Sequence, residues 1–146
     1  MRKTIKFLAL LTISLMLTSC NGQNKSEKVS LDQSVSKIEV YDFHSTHRCM
    51  TCNAIEANTK FTLDTYFSNE LKDNKITFQV INVDKKENKS IAEKFEAAGT
   101  ALILNVIKDG KETKIDLTDF AFMNGTDQDT FSKELKSKLD TELKML

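Results

Sequence analysis

From residue 37 onward the apolar positions fall into blocks whose spacing alternates between strand and helix. Residues 37–44, Lys-Ile-Glu-Val-Tyr-Asp-Phe-His, place β-branched and aromatic side chains at strand spacing. From Cys49 the spacing becomes helical: Ile55, Thr59, Leu63, Tyr66, Phe67 and Leu71 recur three or four apart, leaving Glu56, Lys60, Asp64 and Glu70 largely on other faces. The pattern predicts one long helix opened by Cys49 and Cys52. A second strand over 76–84 precedes a short helix around 90–95, which Gly99 is expected to end as a C-terminal cap. Residues 101–107 and 113–117 read as two strands joined by Lys108-Asp109-Gly110-Lys111, where Asp-Gly supplies the positive φ of a tight hairpin turn. After an irregular stretch holding Phe120, Phe122, Met123 and Gly125, the residues Phe131, Leu135, Leu139 and Leu143 lie four apart. They predict an amphipathic helix capped by Asp127 or Thr126. The expected order is β-α-β-α-β-β-α, an α/β domain with a central mixed sheet flanked by helices.

The amino-terminal residues follow a different rule. Met1-Arg2-Lys3-Thr4-Ile5-Lys6 is cationic, and residues 7–17 are almost wholly apolar, the layout of a signal peptide. That run is shorter than the ~20 residues a membrane-spanning helix needs. Leu17-Thr18-Ser19-Cys20 resembles the bacterial lipobox, in which small residues precede a cysteine that is diacylated and becomes the new first residue. The alternative, an ordinary leader followed by a free thiol, would leave an unpaired cysteine in an oxidising compartment. Two or three acyl chains suffice for a stable anchor. The chain is thus expected to comprise a lipoprotein signal peptide over 1–19, a lipidated polar tether over 20–36 and a folded domain over 37–146. Its expected place is the bacterial cell envelope, anchored to a membrane through lipid on Cys20 and facing the extracytoplasmic side.

Composition narrows the function classes. Lys+Arg and Asp+Glu both number 21 in the 146 residues, so no basic excess is available to neutralise a phosphate backbone, and nucleic acid is excluded as an expected partner. Removing the leader takes Arg2, Lys3 and Lys6 and no acid, which turns the formal charge of 0 into −3. With no proline and 4 glycines the chain is neither a Pro-rich linker nor a turn-dense small β fold. Three cysteines are too few for a disulfide scaffold. No Ser/His/Asp set, phosphate-binding glycine loop or pair of catalytic carboxylates stands out. The chemistry must lie in Cys49-Met50-Thr51-Cys52.

A Cys-x-x-Cys serves redox and metal sites alike. At a helix start, however, backbone N–H groups and the helix dipole favour an anion, so Cys49 is expected to be the attacking thiolate, with Arg48 and a protonated His47 pushing the same way. Cys52, one turn on, is then the resolving cysteine that attacks the mixed disulfide. Asp42 interrupts an otherwise apolar strand, which costs stability unless it is solvated or paired. A strand-edge acid facing water is one reading.

The element order, with the cysteine pair at the first strand-to-helix junction, resembles the thioredoxin fold from Lys37 to the end. Tyr41-Asp42-Phe43, Cys49-Met50-Thr51-Cys52, Asn82-Val83-Asp84, Gly99-Thr100-Ala101-Leu102 and Lys108-Asp109-Gly110-Lys111 carry the resemblance. More narrowly, residues 43–52 followed by Ile55-Glu56-Ala57-Asn58-Thr59 look like a small group of bacterial thioredoxin-like lipoproteins, some named as nitroreductase-associated subunits. The resemblance implies a thiol–disulfide oxidoreductase acting on protein thiols or disulfides of the cell envelope without a cofactor. It also implies a second reading of Asp42, as the acid that helps move the resolving cysteine's proton, although one more residue separates it from the cysteine pair than in that pattern. The loop before the last helix would lie on the cysteine side of the sheet, where one of Phe120, Phe122 and Met123 could form an apolar contact for a partner instead of core.

One departure bears on metal. Thioredoxins set a cis-proline opposite the cysteine pair, and Thr100-Ala101 occupies that place here. A cis bond before a non-proline costs roughly 3 kcal/mol, so a trans peptide is expected. That proline shapes substrate docking and keeps metal off the thiols. His44, His47, Cys49 and Cys52 gather the chain's two histidines and two of its three thiols in one short stretch, and thiolate with imidazole suits copper or zinc. The alternative reading is therefore a thioredoxin-like copper- or zinc-binding or delivery protein.

Overall fold

The computed structural model describes residues 36–146; the leader, Cys20 and most of the expected tether lie outside them. Strand β1 (Lys37–His44) runs into a loop and helix α1 (Met50–Tyr66), then α2 (Ser68–Lys72) and β2 (Ile76–Asn82). A 3-10 turn (Lys86–Asn88) leads into α3 (Lys89–Lys94), followed by β3 (Ala101–Lys108), β4 (Lys111–Asp116), α4 (Thr118–Asn124) and α5 (Gln128–Met145). The sheet has four strands in the order β2-β1-β3-β4. β1 pairs parallel with β2 and antiparallel with β3, and β3 antiparallel with β4. The fold is mixed α/β, with helices on both sheet faces.

Alternation along β1 divides the core. Ile38 and Val40 face α1 and α5, where they join Ile55, Leu63, Phe67, Leu102, Leu104, Phe131, Leu135 and Leu139. Tyr41 and Phe43 face the other way and meet Phe95, Ile81 and Ile103 beside α3, with the Tyr41 and Phe95 ring centroids 4.8 Å apart. The predicted stripe of the last helix is the side that α5 buries, since Phe131, Leu135 and Leu139 are all fully enclosed. Each such side chain contributes roughly 1.5–3 kcal/mol by leaving water. The helix starts at the expected cap, the Asp127 side chain accepting from the Thr130 amide at 3.1 Å. The hairpin is also as expected: Asp109 and Gly110 take φ of 50° and 77° in a two-residue turn.

Several expectations are corrected. The long helix does not run through Leu71 but breaks at Phe67, whose φ of −128° leaves the helical region while its ring stays buried; Tyr66 is exposed, so the buried side includes Asn58 and Thr62 instead. Gly99 does not cap the short helix. That helix ends at Lys94, and the left-handed residue after it is Glu96, with φ of 57°. The second strand stops at Asn82, because Asn82 and Asp84 are engaged in side-chain bonds described below. The stretch expected to be irregular contains α4. Phe120 packs there against Phe131 with centroids 5.0 Å apart, as core, while Phe122 and Met123 are exposed.

Gly125, just past α4, is required by space. A Cβ there would lie 2.8 Å from the Ala121 carbonyl oxygen and 3.1 Å from side-chain atoms of both Thr51 and Ile55. The close approach seats the α4–α5 connection against the first turns of α1. It is fastened by Asn58, buried, whose Nδ2 donates to the Gly125 carbonyl at 2.9 Å.

Candidate active site

The loop from Ser45 to Arg48 carries the chain from the end of β1 to α1, and side chains hold it at both ends. On the β2 side, Asp84 Oδ2 accepts from the Thr46 amide at 2.7 Å and Asn82 Nδ2 donates to Thr46 Oγ1 at 3.2 Å. Asn82 is held in turn, its Oδ1 accepting from the Asp84 amide and its carbonyl from Asn88 Nδ2, both at 2.9 Å. The amide hydrogen bond holds the Asp84 carboxyl below the usual carboxylate range, helped by nearby His47 and His44. The Asn82-Val83-Asp84 segment thus acts as a clasp on the cysteine loop. Opposite, Gly99 lies against Ser45, with 3.8 Å between the site of a Cβ and Ser45 Oγ, and Thr100-Ala101 is trans, as expected.

Cys49 is the N-cap of α1: its Sγ accepts from the Cys52 amide at 3.1 Å. Cys49 and Cys52 are joined as a disulfide with their Cα atoms 5.1 Å apart. Cys49 is exposed, Cys52 is only 7% exposed, and Met50 between them projects into solvent. The pair therefore presents one sulfur outward at the positive end of a 17-residue helix and turns the other inward.

Asp42 does not face water. It is fully buried on the face of β1 that α1 covers, between Val80 and Leu102 in register. Burial pushes its carboxyl up to about 7, with Arg48 pulling it back and Glu56 pushing it further. Its Oδ2 is 3.4 Å from Arg48 Nη2, and its Oδ1 has no hydrogen-bond partner. Arg48, expected to favour the Cys49 thiolate, does not stand as an isolated charge. Instead its guanidinium folds inward, donating to the Cys52 carbonyl at 3.0 Å and to Glu56 Oε2 as well as approaching Asp42. Glu56, expected on a solvent face, is half-buried in this set. Its position one turn beyond Cys52 was the available signal.

His47 is exposed on the loop, and His44 Nδ1 lies 2.9 Å from the Ser45 carbonyl. Among the described residues no group of three or more His, Cys, Asp or Glu side chains is gathered as a metal cage requires. His44, His47, Cys49 and Cys52 are close in sequence, and with Cys49 and Cys52 joined as a disulfide neither offers a thiolate to a metal ion.

One parallel and two antiparallel strand pairings, with a cysteine pair opening the helix after the first strand, define a thioredoxin-like fold. No family model and no curated protein matches the sequence. Among solved structures, the chain is similar to a thioredoxin from Thermus thermophilus, at 20% identity over 70% of this chain and 74% of that one, with a TM-score of 0.46. It is also similar to Fasciola hepatica thioredoxin, at 23% identity over 54% and 66% of the two chains, with a TM-score of 0.35. A malarial protein gives 18% identity over 60% and 94%, with a TM-score of 0.38.

Proposed function

We propose that the protein is a thiol–disulfide oxidoreductase that cycles the Cys49/Cys52 pair. The observation that carries this reading is the asymmetric disulfide at the start of α1, one sulfur exposed as helix cap and the other buried. In the reducing direction the Cys49 thiolate attacks a partner's disulfide, forming a Cys49–partner bond and releasing one partner thiolate. Cys52 then loses its proton and attacks Cys49 Sγ. The intramolecular disulfide forms, the second partner thiolate leaves, and two electrons have passed to the partner. The reverse sequence oxidises a dithiol. Asp42, joined to the Cys52 turn through Arg48 and pushed up to about 7 by burial, is the group proposed to take the Cys52 proton. His47 adds positive charge beside Cys49 when protonated.

The partners proposed are protein thiols or disulfides of the bacterial cell envelope. The leader and Leu17-Thr18-Ser19-Cys20 support membrane attachment through lipid on Cys20, and no described helix is long and apolar enough to cross a membrane. The likeness of residues 43–59 to thioredoxin-like lipoproteins supports the same placement.

Trapping tests the reading. Cys52→Ala should accumulate a mixed disulfide on Cys49, since nothing can resolve it, whereas Cys49→Ala should lose both turnover and trapping. A wild-type protein that exchanges with no small disulfide or dithiol, yet binds Cu(I) or Zn(II) one-to-one, would replace this function with metal binding.

A further inference from the structure

Arg48 is the charged residue of the cysteine loop that exchange chemistry does not itself consume. Nη2 lies 3.4 Å from Asp42 Oδ2 and 3.0 Å from the Cys52 carbonyl, and Nη1 is bonded to Glu56 Oε2. The Arg48 side chain is 17% exposed and that of Glu56 33%, against none for Asp42. One cation therefore joins the end of β1 to the first two turns of α1, in a setting where solvent screens charge incompletely. Replacing a whole set of this kind by apolar groups is often neutral for stability, whereas removing one member leaves a buried charge unpaired, so its presence under the cysteines calls for a reason beyond packing.

We propose that Arg48 and Glu56 form an opposed charge pair that sets the poise of the Cys49/Cys52 couple, Arg48 as the positioning residue of the Cys52 turn and Glu56 as its counterweight. The inference rests on the exchange reading above. Reducing the disulfide takes two electrons and one proton and leaves one thiol and one thiolate, so a negative charge appears at the helix start. The Arg48 cation favours that charged, reduced form. Glu56, four residues beyond Cys52 on the same helix and bonded to the same guanidinium, opposes it. The bond from Arg48 to the Cys52 carbonyl keeps the turn in place once the sulfur–sulfur bond opens.

The two charges therefore predict shifts of opposite sign. Full-length wild type, Arg48→Met, Arg48→Lys and Glu56→Gln would be equilibrated in glutathione buffers and the oxidation state of the Cys49–Cys52 peptide read by alkylation and mass. Arg48→Met should move the couple about tenfold toward the disulfide, equivalent to about 30 mV. Glu56→Gln should move it severalfold toward the dithiol, and Arg48→Lys, which keeps the charge but not the fork that reaches Asp42, Cys52 and Glu56 together, should shift in the same direction as Arg48→Met and by less. A folded Arg48→Met with wild-type poise overturns the proposal, as do shifts of the two variants in the same direction. Should Arg48→Met fail to fold, Glu56→Gln decides: no shift, or a shift toward the disulfide, overturns it. A wild type that shows no exchange instead removes the function on which the inference stands.

Discussion

Asp42→Asn should make the protein more stable than wild type at alkaline pH, by an amount that grows as pH rises from about 3.8 to about 7 and then levels off. In the unfolded chain this carboxyl ionises near 3.8, whereas in the folded protein burial holds it up to about 7. Between those values the folded state binds a proton that the unfolded state has released, so stability falls as pH increases. The loss begins above the lower value and is complete above the upper one. At 1.36 kcal/mol per pH unit the interval corresponds to at most about 4 kcal/mol, a large share of the ~5–15 kcal/mol that holds a domain of this kind together. Asparagine carries no charge to bury and its carbonyl still accepts from Arg48. Other carboxyls complicate a single-protein profile: Glu39, Asp84, Glu96, Glu112 and Asp127 are all held below their usual range and lose stabilising interactions as pH falls. The difference between variant and wild type cancels these contributions wherever they are independent of position 42. Urea unfolding followed by circular dichroism, with the disulfide intact, at pH values from about 4 to about 8.5 gives that difference. The variant should match wild type or fall roughly 1 kcal/mol below it at the acid end, from one weakened hydrogen bond. It should be more stable by a few kcal/mol at the alkaline end. A difference that stays flat across the range would refute the account of Asp42 as a buried, proton-holding acid.

Two further outcomes are expected. Cys20→Ala should move the protein from the membrane to the soluble fraction on cell fractionation, and retention with unchanged acylation would sink the lipobox reading. Asn58→Ala removes the donor to the enclosed Gly125 carbonyl, which should cost about 1–3 kcal/mol for an unsatisfied buried acceptor; an unchanged urea midpoint would show that the α1 to α4–α5 fastening contributes nothing.

The elements legible in the sequence were those with a repeated signal. Period-two alternation marked β1, the four-residue stripe of Phe131, Leu135 and Leu139 marked α5, and Asp109-Gly110 marked the hairpin, each because one local rule and the tertiary packing agree. Helix α4 went unread because seven residues give barely two turns, too few for a period to emerge among closely set aromatics. The end of α3 was misread because glycine is the usual left-handed residue, yet Glu96 takes that conformation and Gly99 lies three residues further on, beside Ser45. Asn58 and Thr62 were hidden for another reason. Polar side chains on a helix read as solvent-facing, and what keeps them inside is a hydrogen bond to Gly125, sixty-seven residues distant, in one case and to the helix's own carbonyl in the other.

The candidate site divides along the same line. The pairing of Cys49 and Cys52 at the start of α1 was legible because it depends on spacing and on the strand-to-helix junction, both local. The burial of Asp42 was not, since its cation lies six residues on, across a loop whose course is fixed from β2 by Asn82 and Asp84. Nor was the inward turn of Arg48, which needs the carbonyl of Cys52 and the carboxylate of Glu56 to be presented together by α1. Asp42, Arg48 and Glu56 break the local rule that charge stays at the surface, and they do so around one disulfide. Departures of this kind concentrate where function outweighs stability. Asn58 is a buried polar residue too, but its neutral amide is matched by a carbonyl and by Gln128, whereas Asp42 Oδ1 and Arg48 Nε remain without partners. What distinguishes Asp42 and Arg48 from Asn58 is that they are ionisable and joined to the Cys52 turn, which the proposed exchange chemistry would draw on, whereas Asn58 fastens helices together.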